Sequence, residues 1–129
     1  MAKKIDLPFL PDFEQSVLTG KKTTTIRTRR FGRAGDWFPA FGKTFVLTEV
    51  YRTPLTRVVY FLYQEEGFNT PQELIACWNR LHPDIKYEDQ RDRPVYVHQF
   101  QPAQKGTRQK SSGRRILRAA RREQCIIAK

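Results

Sequence analysis

The stretch from Gly20 to Arg27 reads Gly-Lys-Lys-Thr-Thr-Thr-Ile-Arg and places three cations and three hydroxyl groups within eight residues. Lysines that follow a glycine can bind phosphate. A nucleotide triphosphate loop, however, also needs an upstream glycine and follows a strand, and here the upstream glycine is missing and the preceding pattern is helical. Triphosphate hydrolysis is therefore disfavoured. Two interpretations stay open: good strand formers behind a solvated lysine turn, or one wall of a functional cleft.

Other reactive side chains are scattered along the chain. His82 lies between Leu81 and Pro83 and fits a helix end better than a catalytic base. His98 falls in a predicted strand, where a hydrogen-bonded structural role is favoured over a place in a cleft. Cys77 and Cys125 have no neighbouring Cys or clustered His, so the sequence predicts free thiols, no metal site and no cofactor.

Positive charge is concentrated at the C-terminus. The chain has 24 Lys and Arg against 13 Asp and Glu, a formal net charge of +11. Residues 103–129 hold nine of these cations and one acid. Such a tail attracts polyanions through counterion release, which does not distinguish RNA, DNA and acidic membranes, and a merely solubilising tail is the alternative.

The patterns predict strands interrupted by helices. Proline, an apolar i, i+4, i+5 pattern and a glycine stop predict a helix over residues 11–19. Thr70, Pro71 and Glu73 form a helix-start signal, followed by a stripe of Leu74, Cys77, Trp78 and Leu81, so a second helix is predicted over residues 71–81. Strands are predicted over residues 3–7, 23–27, 44–52 and 94–100, the last with Val95 and Val97 on one face and Tyr96, His98 and Phe100 on the other.

These elements indicate an α+β fold. Pro54 separates the strand over residues 44–52 from a second apolar run over residues 55–63. Strands outnumber helices and do not alternate with them regularly, which favours a small mixed β-barrel flanked by two or three helices over a doubly wound sheet. The compact domain is predicted over residues 1–102, and residues 103–129 form a basic tail, partly disordered or helical.

Three segments together resemble the ASCH domain family. They are the helix followed by Gly-Lys-Lys-Thr-Thr-Thr-Ile-Arg, then Gly35-Asp36, then Glu65-Glu66-Gly67-Phe68 before the capped helix. The closing strand over residues 94–100 is also similar, and the resemblance covers residues 5–100. It implies a barrel of the PUA type and a role related to RNA, either as a binding module or as a small hydrolase.

One branch of this family is similar to bacterial acetylcytidine amidohydrolases, which use a Lys, a Thr and a Glu. The resemblance places these on Lys22, Thr25 and Glu66. A threonine hydroxyl needs a base to become a nucleophile, and a lysine can be that base when burial or a nearby cation favours its neutral form. Glu66 can position the lysine or shuttle protons, or it can hold the lysine charged, which opposes a base role.

The spacing of Lys22 and Thr25 adds a geometric condition. Three positions apart on a regular strand, the two side chains point to opposite faces, so they converge only if the strand begins after Lys22. Gly20 makes such a turn credible. Thr25 and Arg27 then share a face toward the cleft, and Ile26 turns to the core.

Three functional hypotheses follow. The first is a protein that binds RNA or a modified nucleoside in a cleft lined by Lys21, Lys22, Thr25, Arg27 and Glu66. The second makes that cleft an amidohydrolase. In the third, the tail of a ribonucleoprotein accessory protein binds RNA while the barrel contacts protein. The candidate nucleic-acid-binding residues are Lys21, Arg27, Arg29, Arg30, Trp37, Arg114, Arg115, Arg118, Arg121 and Arg122.

Two further aromatic residues, Phe38 and Tyr63, are candidates for stacking on a base, although most aromatics in so small a domain belong to the core. The N-terminus lacks an apolar signal run, and no stretch approaches the roughly 20 apolar residues that span a bilayer. We therefore expect no membrane partner and, with free thiols, a cytoplasmic location. The sequence does not fix the oligomeric state.

Overall fold

A computed structural model describes residues 2–103. It contains three α-helices and four strands, and the first and third helices are each accompanied by a short 3₁₀ turn. The elements in chain order are a 3₁₀ turn Pro11–Phe13, α1 Glu14–Thr19, β1 Thr24–Arg27, β2 Trp37–Ala40, β3 Lys43–Pro54, α2 Leu55–Phe61, α3 Pro71–Leu81, a 3₁₀ turn Tyr87–Asp89 and β4 Pro94–Pro102.

The four strands form one antiparallel sheet in the order β1-β4-β3-β2. The sheet curls into a half-barrel, and the three helices complete an α+β fold, as the sequence predicts. A register shift between Leu47 and Glu49 interrupts the long β3–β4 ladder. Such bulges bend a strand and increase its twist, which helps a sheet of this size to curl.

Strand β4 separates two hydrophobic clusters. Val95 and Val97 pack with α2 and α3 in one cluster, and Phe100 packs with Phe38 and Phe45 in the other. Successive side chains of a strand point to opposite faces, so one apolar strand serves two cores. The predicted separation of Val95 and Val97 from Phe100 is therefore confirmed.

The turn between α1 and β1 satisfies the geometric condition on Lys22. Gly20 ends α1 in the left-handed region at φ 84°, where glycine is favoured because it has no Cβ. The Lys22 amide then donates to the Ser16 carbonyl (2.9 Å), and the ladder of β1 begins at Thr24. Lys22 thus lies before the strand, so the alternation of side chains between the two faces of β1 does not determine where its side chain points.

Helix α3 coincides with its prediction. The Thr70 hydroxyl accepts a hydrogen bond from the Glu73 amide (3.2 Å), which caps the first turn. Leu74 and Trp78 are buried, and the Trp78 indole donates to the Ile85 carbonyl (2.7 Å). Leu81 differs from the predicted stripe, since it is 42% exposed at the end of the helix.

Several predictions need correction. The predicted strand over residues 3–7 is reduced to one parallel bridge between Lys4 and Trp37, because the prolines that follow prevent a longer ladder. The apolar run after Pro54, whose conformation the sequence leaves open, forms α2, which buries Val58 and Val59. Phe38 lies in β2, a strand that the sequence analysis does not predict, and is fully buried instead of available for stacking.

The basic tail lies outside the described residues. It includes the arginines from Arg114 to Arg122 that are predicted to bind nucleic acid. Between residues 2 and 103, no helix combines the length and apolar character needed to cross a membrane.

Candidate functional site

A cavity of about 320 Å³ opens between the N-terminal segment, β1 and α3. Aromatic and aliphatic side chains supply most of its wall, and the polar groups cluster on the β1 side. The lining residues are Pro8, Phe9, Leu10, Phe13, Lys22, Thr25, Ile26, Arg27, Glu66, Phe68, Leu74, Cys77, Trp78, Leu81 and His82. Lys22, Thr25 and Glu66, which are distant in sequence, therefore meet at one cavity.

Lys22 and Glu66 form a buried ion pair. The Lys22 Nζ donates to the Glu66 carbonyl (3.0 Å) and to Glu66 Oε1 (3.2 Å), and the two side chains are only 3% and 2% exposed. The Phe13 ring lies 4.8 Å from the same ammonium. The ammonium is therefore in contact with a carboxylate, a carbonyl oxygen and a ring face, each of which attracts a cation.

Thr24 completes this unit. Its hydroxyl donates to Glu66 Oε2 (2.5 Å), so both carboxylate oxygens have partners. The Thr24 amide, like the Thr23 amide, donates to the Glu65 carbonyl, which ties the start of β1 to the turn after α2. The carboxylate is thereby fixed in position and orientation.

Gly67 allows the close approach of this turn to Lys22. Its φ is 99°, and a Cβ placed on it would lie 3.1 Å from the Lys22 Cβ. Such a distance is tighter than ordinary van der Waals contact, and the backbone angle is one that residues other than glycine rarely adopt. The Glu-Gly-Phe segment is therefore explained by the packing of Gly67 against Lys22.

Thr25 contacts Arg27, not Lys22. Its Oγ1 accepts from Arg27 Nε (3.2 Å), and Arg27 Nη2 donates to the Pro8 carbonyl (2.6 Å). Burial lowers the pKa of the Arg27 guanidinium, and the negative charge of Glu66 partly offsets this effect. The Thr25 hydroxyl keeps its own proton available for donation to a ligand in the cavity.

The other predicted site residues lie elsewhere. Lys21 does not line this cavity: its side chain is exposed, donates to Asn69 Oδ1 (3.1 Å) and borders an open groove between α1 and α3. Arg29 and Arg30 are exposed in the loop after β1, and Trp37 is 37% exposed on β2 beside Lys4. None of these four lines the cavity, and their binding of nucleic acid stays a prediction.

Several site residues escape the sequence analysis. Thr24 is one of three consecutive threonines, and the sequence does not say which hydroxyl reaches Glu66. Phe9 and Phe13 reach the cavity from the N-terminal segment, in which the sequence analysis names no site residue. His82 does end α3, as predicted, yet it also lines the cavity and packs against Trp78, with ring centroids 4.0 Å apart and the ring planes tilted by 34°. Because segments that are distant in sequence form the cavity wall, no local sequence pattern marks these residues.

His98 has a structural role, which agrees with its interpretation from sequence. It is fully buried in β4, and its Nε2 accepts from the Phe31 amide (3.0 Å). Among the described residues, its Nδ1 has no partner with hydrogen-bond geometry. The pKa of His98 is lowered to about 4, chiefly by burial and in part by the charges of Arg27 and Arg30, while the backbone of Thr25 and Tyr96 opposes the shift.

This shift predicts a pH-dependent stability. Between about pH 6.5, where an unfolded histidine titrates, and about pH 4, where folded His98 titrates, the unfolded state binds more protons. Stability from His98 is therefore complete above pH 6.5 and falls by about 3 kcal/mol as the pH drops to 4. Urea unfolding of the parent and of His98→Gln across this range measures it. The variant should lose less stability than the parent, and equal losses would contradict the assignment.

Solved structures with the same architecture were found by comparison. An ASCH domain from Lactobacillus crispatus matches with a TM-score of 0.56 at 12% identity, over 78% of this chain and 79% of that chain. The chain has an ASCH-like fold. This ASCH-like fold is also similar to a protein from Enterococcus faecalis, with a TM-score of 0.54 at 17% identity over 79% of both chains. A protein from Pyrococcus furiosus matches with a TM-score of 0.51 at 14% identity, over 80% of this chain and 97% of that chain.

No protein-family model and no curated protein matches the sequence. At the identities of the solved structures, the likeness shows the fold alone. The residues and geometry of its own cavity are therefore the evidence for the function of this ASCH-like chain.

Proposed function

We infer that this ASCH-like chain binds RNA by taking a single base, standard or modified, into the cavity. The observation that carries the proposal is the convergence of Lys22, Thr25, Arg27 and Glu66 on one side of an otherwise apolar, aromatic cavity. Binding sites for small ligands are typically apolar concavities with a few convergent polar groups.

The size of the cavity favours one base. Its volume of about 320 Å³ lies at the lower end of the roughly 300–1,000 Å³ of small-molecule sites. Phe9, Phe13, Phe68 and Trp78 offer ring surfaces to a flat ligand. Proteins that read single-stranded RNA stack unpaired bases on such rings and bind their polar edges.

The polar side of the cavity supplies donors for those edges. The Thr25 hydroxyl and the remaining N–H groups of Arg27 face acceptors on a base, and the Lys22 ammonium has a third donor beyond its two contacts with Glu66. These groups are held by neighbours, so little ordering is required on binding.

An NMR titration tests the proposal. With a single-stranded RNA hexamer of mixed sequence, amide signals of Thr25, Arg27 and Phe68 should shift, whereas those of Tyr60 and Phe61, exposed on α2, should not. The matching duplex should give smaller shifts because its bases are paired. Shifts that are absent, or that spare the cavity, would refute the proposal.

The same titration separates cavity from tail. Replacing Arg114, Arg115, Arg118, Arg121 and Arg122 by Gln should lower RNA affinity at low salt and flatten its salt dependence if the tail contacts phosphates. The shifts at the cavity should persist in this variant. Their loss would favour the ribonucleoprotein hypothesis, in which the tail carries the binding.

An amidohydrolase is the second candidate, favoured by the presence of Lys22, Thr25 and Glu66 at one cavity. In such a reaction the Thr25 oxygen would attack the acetyl carbon of acetylcytidine, the C–N bond would break, and the amine would leave with a proton. Water would then release acetate from the acyl-threonine. The ion pair of Lys22 with Glu66 opposes this route, since a base must first give up its proton.

A further inference from the structure

Arg27 is a partly buried cation that forms no ion pair with a carboxylate of residues 2–103. Its two hydrogen bonds go to neutral acceptors, the Thr25 hydroxyl and the Pro8 carbonyl. The ion pairs of the described chain join Lys22 to Glu66 and Arg80 to Asp12. A guanidinium has five N–H donors, so three of those on Arg27 remain without an acceptor among the described residues.

The neighbouring carboxylate does not fill this gap. Each oxygen of Glu66 already has a partner, Lys22 on one and Thr24 on the other, and among the described residues no ion pair joins Glu66 to Arg27. A cation removed from water is costly unless a partner replaces the lost hydration. The geometry therefore leaves Arg27 suited to an anion that comes with the ligand.

Two aromatic rings lie beside the Arg27 guanidinium, and one of them also lies beside the guanidinium of Arg29. Arg27 lies between Phe9 and Phe31, with its Cζ 5.3 Å and 5.4 Å from the two ring centroids. The exposed Arg29 lies over the same Phe31 ring, with its Cζ 4.2 Å from the ring centroid. A guanidinium next to a ring face keeps its N–H edges available for bidentate binding of phosphate.

We propose that Arg27 and Arg29 bind a phosphate group of the nucleotide whose base fills the cavity. This inference rests on the proposed function and adds to the bound base a specific contact with its phosphate group, in a nucleotide that is either free or within an RNA strand. Arg27 holds the phosphate at the cavity, and Arg29 meets it from solvent.

Isothermal titration calorimetry at low salt tests this with the four ribonucleosides, their 5′- and 3′-monophosphates, and dinucleotides with an internal phosphate and no terminal one. At least one phosphorylated form should bind about tenfold to a hundredfold tighter than its nucleoside, the effect expected of charge-assisted hydrogen bonds. A gain with the monophosphates assigns a terminal phosphate, and a gain with the dinucleotides assigns an internal one.

Variants locate the phosphate. Arg29→Gln should reduce the gain, and Arg27→Lys should reduce it further because lysine lacks the bidentate fork. Arg57→Gln is the matched control, since Arg57 is exposed on α2 and does not line the cavity. Thermal unfolding checks that Arg27→Lys folds, and if it does not, Arg29→Gln decides alone.

The failures are distinguishable. Equal affinity for nucleosides and all phosphorylated forms overturns the phosphate site and leaves the proposed function standing. Equal losses in Arg29→Gln and Arg57→Gln also overturn it, because the gain would then reflect net charge. Absence of binding to every nucleoside, nucleotide and dinucleotide overturns both this inference and the proposed function.

Discussion

Replacing Lys22 by Met is expected to lower the free energy of unfolding by about 3–5 kcal/mol, the usual effect of removing one partner from a buried ion pair. Glu66 is 2% exposed, and Lys22 supplies the positive charge beside its Oε1. Without that charge the carboxylate must either stay buried and unpaired or take up a proton. Urea unfolding at pH 7 measures the loss.

Lys21→Met is the matched control for this change. Lys21 is adjacent in sequence but exposed, so its loss should change stability by no more than about 0.5 kcal/mol, as is usual for surface substitutions. The double variant Lys22→Met with Glu66→Gln should be less destabilised than the sum of the single changes, because the residues are in contact. Additive losses would mean that the pair does not act as a unit.

The sequence predicts those parts of the fold that follow from local patterns. Helix α3 has a cap, a proline at its first position and an apolar stripe, and its bounds agree with the prediction. The alternation in β4 correctly assigns Val95 and Val97 to one face and Phe100 to the other. In both elements local propensity and tertiary packing favour the same structure, which is when sequence reasoning succeeds.

Elements without such agreement are predicted poorly. The run after Pro54 is apolar, and periodicity in so short a run does not separate a helix from a buried strand. Strand β2 contains Pro39 and lies at one side of the sheet, next to the bridge at Lys4, where a proline is tolerated. Its sequence gives little strand signal, and its pairing with β3 decides its conformation.

The candidate site is predicted in its residue types but not in its contacts. The resemblance names Lys22, Thr25 and Glu66, and the structure brings all three to one cavity. Their hydrogen bonds differ from a simple triad, since Lys22 and Thr24 bind Glu66 while Thr25 binds Arg27. The two bonds to Glu66 depend on a turn more than 40 residues away, Glu65 to Gly67, and nothing local to β1 encodes them.

These contacts also change which experiment best separates enzyme from binder. Lys22→Arg is informative in principle, because arginine cannot act as a base. However, Lys22 is buried against Gly67 and Phe13, so a larger side chain disturbs the fold as well as the chemistry. The two threonines offer a cleaner comparison, since each can be changed to valine with little change in shape.

If the cavity hydrolyses acetylcytidine, Thr25→Val should lower the turnover rate by about a thousandfold or more, as the loss of a nucleophile does in other hydrolases. Thr24→Val removes a hydrogen bond to Glu66 and leaves the nucleophile in place. Its effect should be smaller, about tenfold to a hundredfold, in line with one charge-assisted hydrogen bond. Thr25→Ser keeps a hydroxyl and should retain measurable turnover.

Mass spectrometry of the released cytidine and acetate measures these rates. Calorimetry with acetylcytidine shows whether each variant still binds the substrate. Under the enzyme hypothesis Thr25→Val binds but does not turn over, because the aromatic wall is unchanged. Equal losses of turnover in Thr24→Val and Thr25→Val would instead indicate that each threonine positions a neighbouring side chain, Glu66 or Arg27, and Thr25 would not be the nucleophile. A parent protein that binds acetylcytidine without releasing acetate would exclude the amidohydrolase and leave Thr25 as a hydrogen-bond donor to the bound base.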